Sequence, residues 1–469
     1  MTEMNENPLD LLPEVLLAAS AVLGLLLGAW LPRARQWLVG ALSGGACVAG
    51  IVAAAVASTT TAFDGAFAVD PVTTTSRIVI LGGTLVVLAL SVVPLRAHPR
   101  ESEFYVLLQL AALGALMLAG ANDLLLLVAA YLLASVPSYV LAGFHKDASG
   151  TEAALKYYVV GALLGVLLLT GITVLYAAGR ATAYPMLRAE LPDAPAGLTA
   201  AGVVAVLAGL LFKAGGVPGH FWVPDAVQGS APPVAAFLTT LPKIGALAAL
   251  YRLGTEALSG ADMPWAPLLA VLSAASMTLG NLAAFYQQDV KRLLAYSTIS
   301  QVGYLLMPVA VTGRADLAQQ ALLFYLAGYA LTNLGAFAVV CALPRLRAVE
   351  DYRGLARERP ALAGSLVVCL LGLVGTPPTA VFLGKLEAFS AAFDGDYAWL
   401  VVVAAINTVA SLFYYLRWIA PAFSTGRTEG PRDVVRAASV TAYSAAAASV
   451  ALGLAGGPVL ALLDGPLAR

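Results

Sequence analysis

Fourteen apolar stretches, each close to the length of a membrane-spanning helix, follow one another along this chain with only short polar connections between them. They fall near 11–31, 36–57, 77–95, 104–121, 123–143, 154–177, 199–222, 232–254, 266–286, 292–312, 317–343, 361–393, 397–423 and 436–463. A spanning helix needs about 20 predominantly apolar residues. In hydrocarbon every backbone polar group must be satisfied internally, so the pattern predicts an all-α polytopic membrane protein. Only 11% of residues are charged, against roughly 25% in soluble domains. Lipid is therefore the expected solvent, and no soluble domain is expected. A net charge of −1 offers no basic field for nucleic acid.

Lys and Arg concentrate in alternate loops: Arg33 and Arg35, Arg96 and Arg100, Lys146, Lys291 and Arg292, the run from Arg345 to Arg359, then Arg427, Arg432 and Arg436. The other loops are sparse in both residues. By the positive-inside rule the rich set is cytoplasmic, which predicts a multi-pass protein of the bacterial inner membrane with both termini periplasmic. The start is acidic, with Glu3, Glu6 and Asp10. That is the reverse of a signal peptide, so the first apolar run is expected to stay as a helix.

Two runs are interrupted. Gly215, Gly216 and Pro218 break the seventh, and Gly372, Gly375, Pro377 and Pro378 break the twelfth. Paired interruptions at corresponding positions of two halves point to inverted repeats around a mid-membrane site. The expected organisation is three helices over 1–103, a first five-helix unit over 104–254, a second over 255–424, and a last helix over 425–469. Pro and Gly are common in membrane helices, but here each break lies beside a lysine.

Four lysines fall within the runs: Lys156, Lys213, Lys243 and Lys385. Each costs about 2.5–3.5 kcal/mol at a helix centre. A buried lysine can lose and regain its proton at accessible pH, so a row of them can form a proton relay. Snorkelling is the competing explanation, strongest for Lys156 near a helix end. His220 follows Lys213 by two turns and can carry protons near neutrality, or serve as a hydrogen-bonded structural residue. Trp222 and Asp225 beside it suggest a helix end at an interface, and Asp225 and Asp289 suit ordering of cytoplasmic loops. Cys47, Cys341 and Cys369 lack metal or disulfide spacing and are expected as packing residues. No metal and no bound cofactor are expected in this chain.

The run L-F-K-A-G-G-V-P-G-H-F-W-V-P-D-A-V-Q-G-S-A-P-P-V (211–234) resembles the signature of the antiporter-like membrane subunits of respiratory complex I and their cation/proton antiporter relatives. E-A-A-L-K-Y-Y (152–158), D-V-K-R-L-L-A-Y-S-T-I-S-Q-V-G-Y (289–304) and G-T-P-P-T-A-V-F-L-G-K (375–385) agree in order. Within that group the features are most similar to the subunit N branch of bacterial NADH–quinone oxidoreductase. The resemblance implies fourteen helices with two inverted five-helix units, and proton translocation driven by quinone reduction elsewhere in the assembly. It implies that quinone, NADH, FMN and iron–sulfur clusters belong to partner subunits, membrane and peripheral. Carried over by position, Lys213 is the central lysine of the first half, Lys156 and Lys243 relay, Lys385 exchanges protons with the periplasmic side, and His220 lies near the first break.

Three positions depart from the family pattern or stand out. Leu132 occupies the place of a fifth-helix glutamate that pairs with the central lysine. Gln301 stands where histidine is frequent. Glu387 follows Lys385 by two residues, roughly on the opposite side of its helix. Two alternatives therefore remain at this stage: a subunit of a multisubunit cation/proton antiporter, and a structural paralogue that no longer pumps.

Overall fold

A computed structural model describes residues 7–96, 98–425 and 433–468; Glu3, Glu6, Arg427, Arg432 and Arg469 lie outside the described residues. Among the described residues, thirteen helices are long and apolar enough to cross a membrane. One further crossing, twelfth in chain order, is made by two shorter helices in series, so the expected all-α polytopic fold is found.

Three N-terminal crossings come first: α1 (Leu12–Trp30), α2 (Trp37–Ala55) and α3 (Pro71–Leu95). A small antiparallel hairpin, β1 (Thr60–Ala62) with β2 (Phe67–Val69), joins the last two and was not legible in the hydropathy. Next are α4 (Glu101–Gly120), α5 (Leu124–Ala142), α6 (Ala148–Gly179), the short α7 (Tyr184–Glu190), and then α8 (Ala196–Ala214), α9 (Trp222–Gly229) and α10 (Pro232–Arg252). The chain continues through α11 (Trp265–Ala284), α12 (Val290–Ala310), α13 (Ala318–Ala342), the one-turn α14 (Leu355–Glu358), α15 (Pro360–Val374), α16 (Ala380–Asp394) and α17 (Ala398–Phe423). It ends with α18 (Arg436–Leu454) and α19 (Gly456–Leu462).

Burial separates the helices into layers. α10, α12 and α13 are almost wholly enclosed, whereas α1, α2, α6, α17 and α18 keep an exposed apolar face. The enclosed helices carry more hydroxyl and amide side chains, including Thr239, Thr298, Gln301, Tyr325, Tyr329 and Asn333, every one of them buried. In a membrane such groups are tolerable only where protein partners meet them. The polar interior therefore follows from which helices are central.

Both ends of the chain dock at the start of α3. Asp70 caps that helix, accepting from the Thr73 amide at 3.1 Å, and also accepts from the Ala468 amide at 3.2 Å. Two turns into the same helix, Arg77 donates to the Asp10 carbonyl at 3.0 Å and pairs with Glu14 at 2.7 Å. An even number of crossings requires the termini on one face, and these bonds put them there.

Candidate functional site: lysines at two helix breaks

The first break begins where α8 ends. Gly215 adopts φ +77°, the left-handed region that suits glycine, and its amide returns to the carbonyls of Leu211 and Phe212. The chain then turns through Pro218 and His220 before α9 resumes. Lys213, next to last in α8, is fully buried. Its Nζ donates to Ser135 Oγ on α5 at 2.9 Å, and the Tyr131 ring lies 5.8 Å away. The Ala214 carbonyl, freed by the break, accepts from Lys243 Nζ on α10 at 2.6 Å.

The second break repeats these features. Gly375 has φ +94°, and its amide returns to Leu371 and Gly372. The freed carbonyl, Val374, accepts from Lys385 Nζ at 2.9 Å, with the ammonium 3.9 Å from the Tyr304 ring. In each case a buried lysine neutralises the negative end of an interrupted helix. The lysine comes from the next helix at the first break and from the resumed half of the same helix at the second. Both breaks contain a cis X-Pro bond, at Pro218 and Pro378.

Hydroxyls and amides occupy the space between the two breaks. Thr239 lies one turn before Lys243 on α10. Its carbonyl accepts from the Tyr329 hydroxyl at 2.7 Å, and its own hydroxyl accepts from Asn333 at 3.0 Å. Tyr329 also reaches Thr298 on α12 at 3.1 Å. One turn further on, Gln301 accepts from the Tyr325 hydroxyl at 2.6 Å and donates to the Leu373 carbonyl at 2.8 Å, beside the second break. Gln301 thus links three helices without titrating. Spacing alone did not reveal Ser135, Tyr304, Tyr325, Tyr329, Thr239 or Asn333. The available signal was polar side chains interrupting the apolar runs of the central helices.

Other predicted positions lie elsewhere. Lys156 is not in the buried row: its side chain is 47% exposed and pairs with Glu152 at 2.8 Å and Asp225 at 3.0 Å. It lines a cavity of 410 Å³ with Asp225, Gln228, His145, Lys291 and Arg347. Asp225 also holds Arg292 at 2.6 Å, so it does order the loops at that end. Trp222 is not interfacial. It is buried, donates to the Phe212 carbonyl at 2.9 Å and stacks on Tyr157 at 4.0 Å. His220 sits in the 3₁₀ turn of the first break against the Phe221 ring, with Nδ1 buried and without a hydrogen bond among the described residues.

Leu132 points outward at 45% exposure, one turn away from Ser135, so its lack of charge leaves no gap beside Lys213. Ser135 satisfies the ammonium instead. The three cysteines are buried and free. Among the described residues no three His, Cys, Asp or Glu side chains gather into a group that could hold a metal.

Residues 121–411, which contain both breaks and all the lysines discussed, match the family described as NADH:quinone oxidoreductase/Mrp antiporter, TM. The chain belongs to that family. It is 53% identical to NADH-quinone oxidoreductase subunit N of Mycobacterium sp. (strain JLS), over 97% of this chain and 98% of the relative. Among solved structures it is similar to a chain of respiratory complex I from Thermus thermophilus with bound aureothin. That match has 34% identity and a TM-score of 0.85, and covers 97% of this chain and 100% of the other. A chain of the Mrp complex from Dietzia sp. DQ12-45-1b shares the fold at a TM-score of 0.86, with 22% identity over 97% and 96% of the two chains. The chain is thus an antiporter-like, proton-translocating membrane subunit of the complex I type, and its partners are the other subunits of such an assembly.

Proposed function

We propose that protons cross this subunit by way of Lys213, Lys243 and Lys385, driven by quinone reduction in partner subunits of an NADH–quinone oxidoreductase. One observation carries the reading: both helix breaks end on a freed carbonyl held by a buried lysine ammonium. A lysine held by a single hydrogen bond can give up its proton and leave the carbonyl to water or to the reloaded ammonium, so protonation and local geometry change together. The hydroxyl–amide chain from Thr239 to Gln301 supports passage between the halves.

Lys156 and Asp225, at the cavity mouth beside the basic loops, suit proton uptake from the cytoplasmic side, and His220 suits transfer near the first break. On this reading the chain lies in the bacterial inner membrane with both termini periplasmic. Two inverted units, 104–254 and 255–424, each contain one break. The seventh and twelfth crossings run in opposite directions, as inversion requires. The chain itself carries no redox group, and the translocase activity belongs to the assembly.

The test is Lys213→Ala, Lys243→Ala and Lys385→Ala in the complete enzyme in native membranes, with proton uptake into inverted vesicles measured against quinone-linked electron transfer. Each is expected to lower proton movement per electron by roughly tenfold or more, since loss of a positioned proton-transfer group commonly costs 10²–10⁴ in rate. Unchanged pumping in an assembled Lys213→Ala enzyme would rule out the relay.

A further inference from the structure

We infer that the outward face of α16 around Glu387 docks against a transmembrane helix of an adjacent subunit, one that presents a cationic side chain at the same depth. Membrane proteins pair the charged groups inside their helices, and this chain follows that rule closely. Arg77 holds Glu14, Arg252 holds Asp70 and Lys156 holds Asp225. Lys213 has Ser135, while Lys243 and Lys385 have helix-end carbonyls. Arg417 donates to the carbonyls of Phe285 and Gln287.

Glu387 is the exception. Among the described residues it accepts no hydrogen bond and forms no ion pair, and its side chain is only part-buried. It shares a helix face with Leu383 and Ser390, both part-exposed, and its neighbours Leu386 and Phe393 are 47% and 64% exposed. The carboxylate therefore stands at the edge of the exposed stripe of Leu386 and Phe393, on the side of α16 away from Lys385.

Depth excludes the headgroup region as its partner. α16 ends at Asp394, and Tyr397 and exposed Trp399 follow at the level where interfacial aromatics collect. Glu387 lies seven residues before Asp394, about 10 Å along the axis at 1.5 Å per residue. Lys and Arg can snorkel that far on long stems, but glutamate has a shorter side chain. Charge complementarity then specifies a lysine, arginine or histidine on a neighbouring membrane helix. The assembly supplies such neighbours, since the chain belongs with complex I-type subunits. The inference rests on that membership and is independent of the lysine relay.

The experiment uses the full assembly in native membranes. A photoreactive benzoylphenylalanine replaces Leu386 in one strain and Phe393 in another, and adducts are mapped by mass spectrometry. The expected product is one membrane subunit of the same assembly, joined through a segment that carries a basic residue. Adducts to lipid alone, or to a segment without a basic residue, overturn the proposal. In parallel, Glu387→Leu should insert at normal abundance yet weaken retention of that neighbour in detergent by about 3- to 20-fold, the range of interhelical polar contacts in membranes. Glu387→Lys should break the contact, and exchanging the mapped cation for glutamate should restore it. A Glu387→Leu enzyme as detergent-resistant as the parent overturns the proposal. Association is read without proton movement, so failure here leaves the relay standing.

Discussion

Gly215 and Gly375 show how much of the site depends on single backbone positions. Each sits at positive φ where an L-residue is strained by about 1–2 kcal/mol. A Cβ on Gly215 would stand 2.3 Å from Lys243 Nζ, and one on Gly375 would stand 3.0 Å from Lys385 Cδ. Gly215→Ala should therefore push the Lys243 ammonium off the Ala214 carbonyl. The expected outcome is an assembled enzyme with near-normal electron transfer and a several-fold fall in protons moved per electron, measured in inverted vesicles. Gly375→Ala should act in the same direction and more weakly, because its clash is milder, at 3.0 Å, and falls on the Lys385 stem rather than on the ammonium itself. Gly45, whose added Cβ would meet nothing within 4 Å, is the control: Gly45→Ala should leave the ratio unchanged. Glycine, lysine and the breaks they mark were legible in the sequence because each is anomalous in an apolar run. Ser135 was not. A serine is unremarkable there, and only the packing of α5 on the end of α8 shows that it, rather than position 132, meets Lys213.

At the scale of elements, α9 is held from outside its own crossing. Lys291 Nζ donates to the carbonyls of Gln228 and Ser230 at 2.6 and 2.7 Å, capping the C-terminal end of α9, and Arg292 holds Asp225 within it. These basic residues open α12, so the start of the tenth crossing clamps the resumed half of the seventh. Lys291→Met removes both bonds and leaves two carbonyls facing a mixed-charge cavity. The expected loss is about 1.5–3 kcal/mol, the usual range for hydrogen bonds to charged groups. It should be visible as a lower thermal midpoint of the detergent-solubilised complex, with Lys291→Arg recovering part of it. A midpoint unmoved by Lys291→Met would show that the clamp contributes nothing. Sequence reading assigned Asp289, Lys291 and Arg292 to loop order and cytoplasmic charge. It did not find the clamp, because the contact joins residues more than sixty positions apart. Lys156, which the sequence left between relay and snorkelling, owes its place to a similarly distant contact. Its helix starts at Ala148, earlier than the apolar run suggested, and its charged neighbours Glu152 and Asp225 draw it to the cavity mouth.

At the scale of the whole molecule, the buried Asp70–Arg252 pair ties the start of α3 to the end of α10, and with the Ala468 amide it fixes the C-terminal segment. The guanidinium makes a two-pronged contact with the carboxylate at 2.7 and 2.9 Å, and one prong also reaches Thr73. Burial works to raise the Asp70 carboxyl, but the Arg252 charge and the hydrogen bonds from Arg252, Thr73 and Ala468 outweigh it and hold the group below its ordinary range. A depressed folded pKa gives stability that is complete above the unfolded value of about 3.9 and is lost only as pH falls through the folded one. Stability of the parent protein should therefore be insensitive to this pair from pH 5 to pH 8. Arg252→Leu reverses the sign. With the guanidinium gone, burial is opposed only by the Thr73 and Ala468 amides, and the folded pKa of Asp70 rises above the unfolded value. The variant should then be most stable in acid and weaken as pH rises, ending about 3–5 kcal/mol below the parent near neutrality. Adding Asp70→Asn removes the buried charge and should return most of that loss, because partners in one contact are strongly coupled. Thermal unfolding of the solubilised complex at pH 5 and pH 8 separates the cases. A pH-independent deficit in Arg252→Leu would mean that lost packing, and not an uncompensated carboxylate, is what loosens the start of α3, the end of α10 and the C-terminal segment from one another.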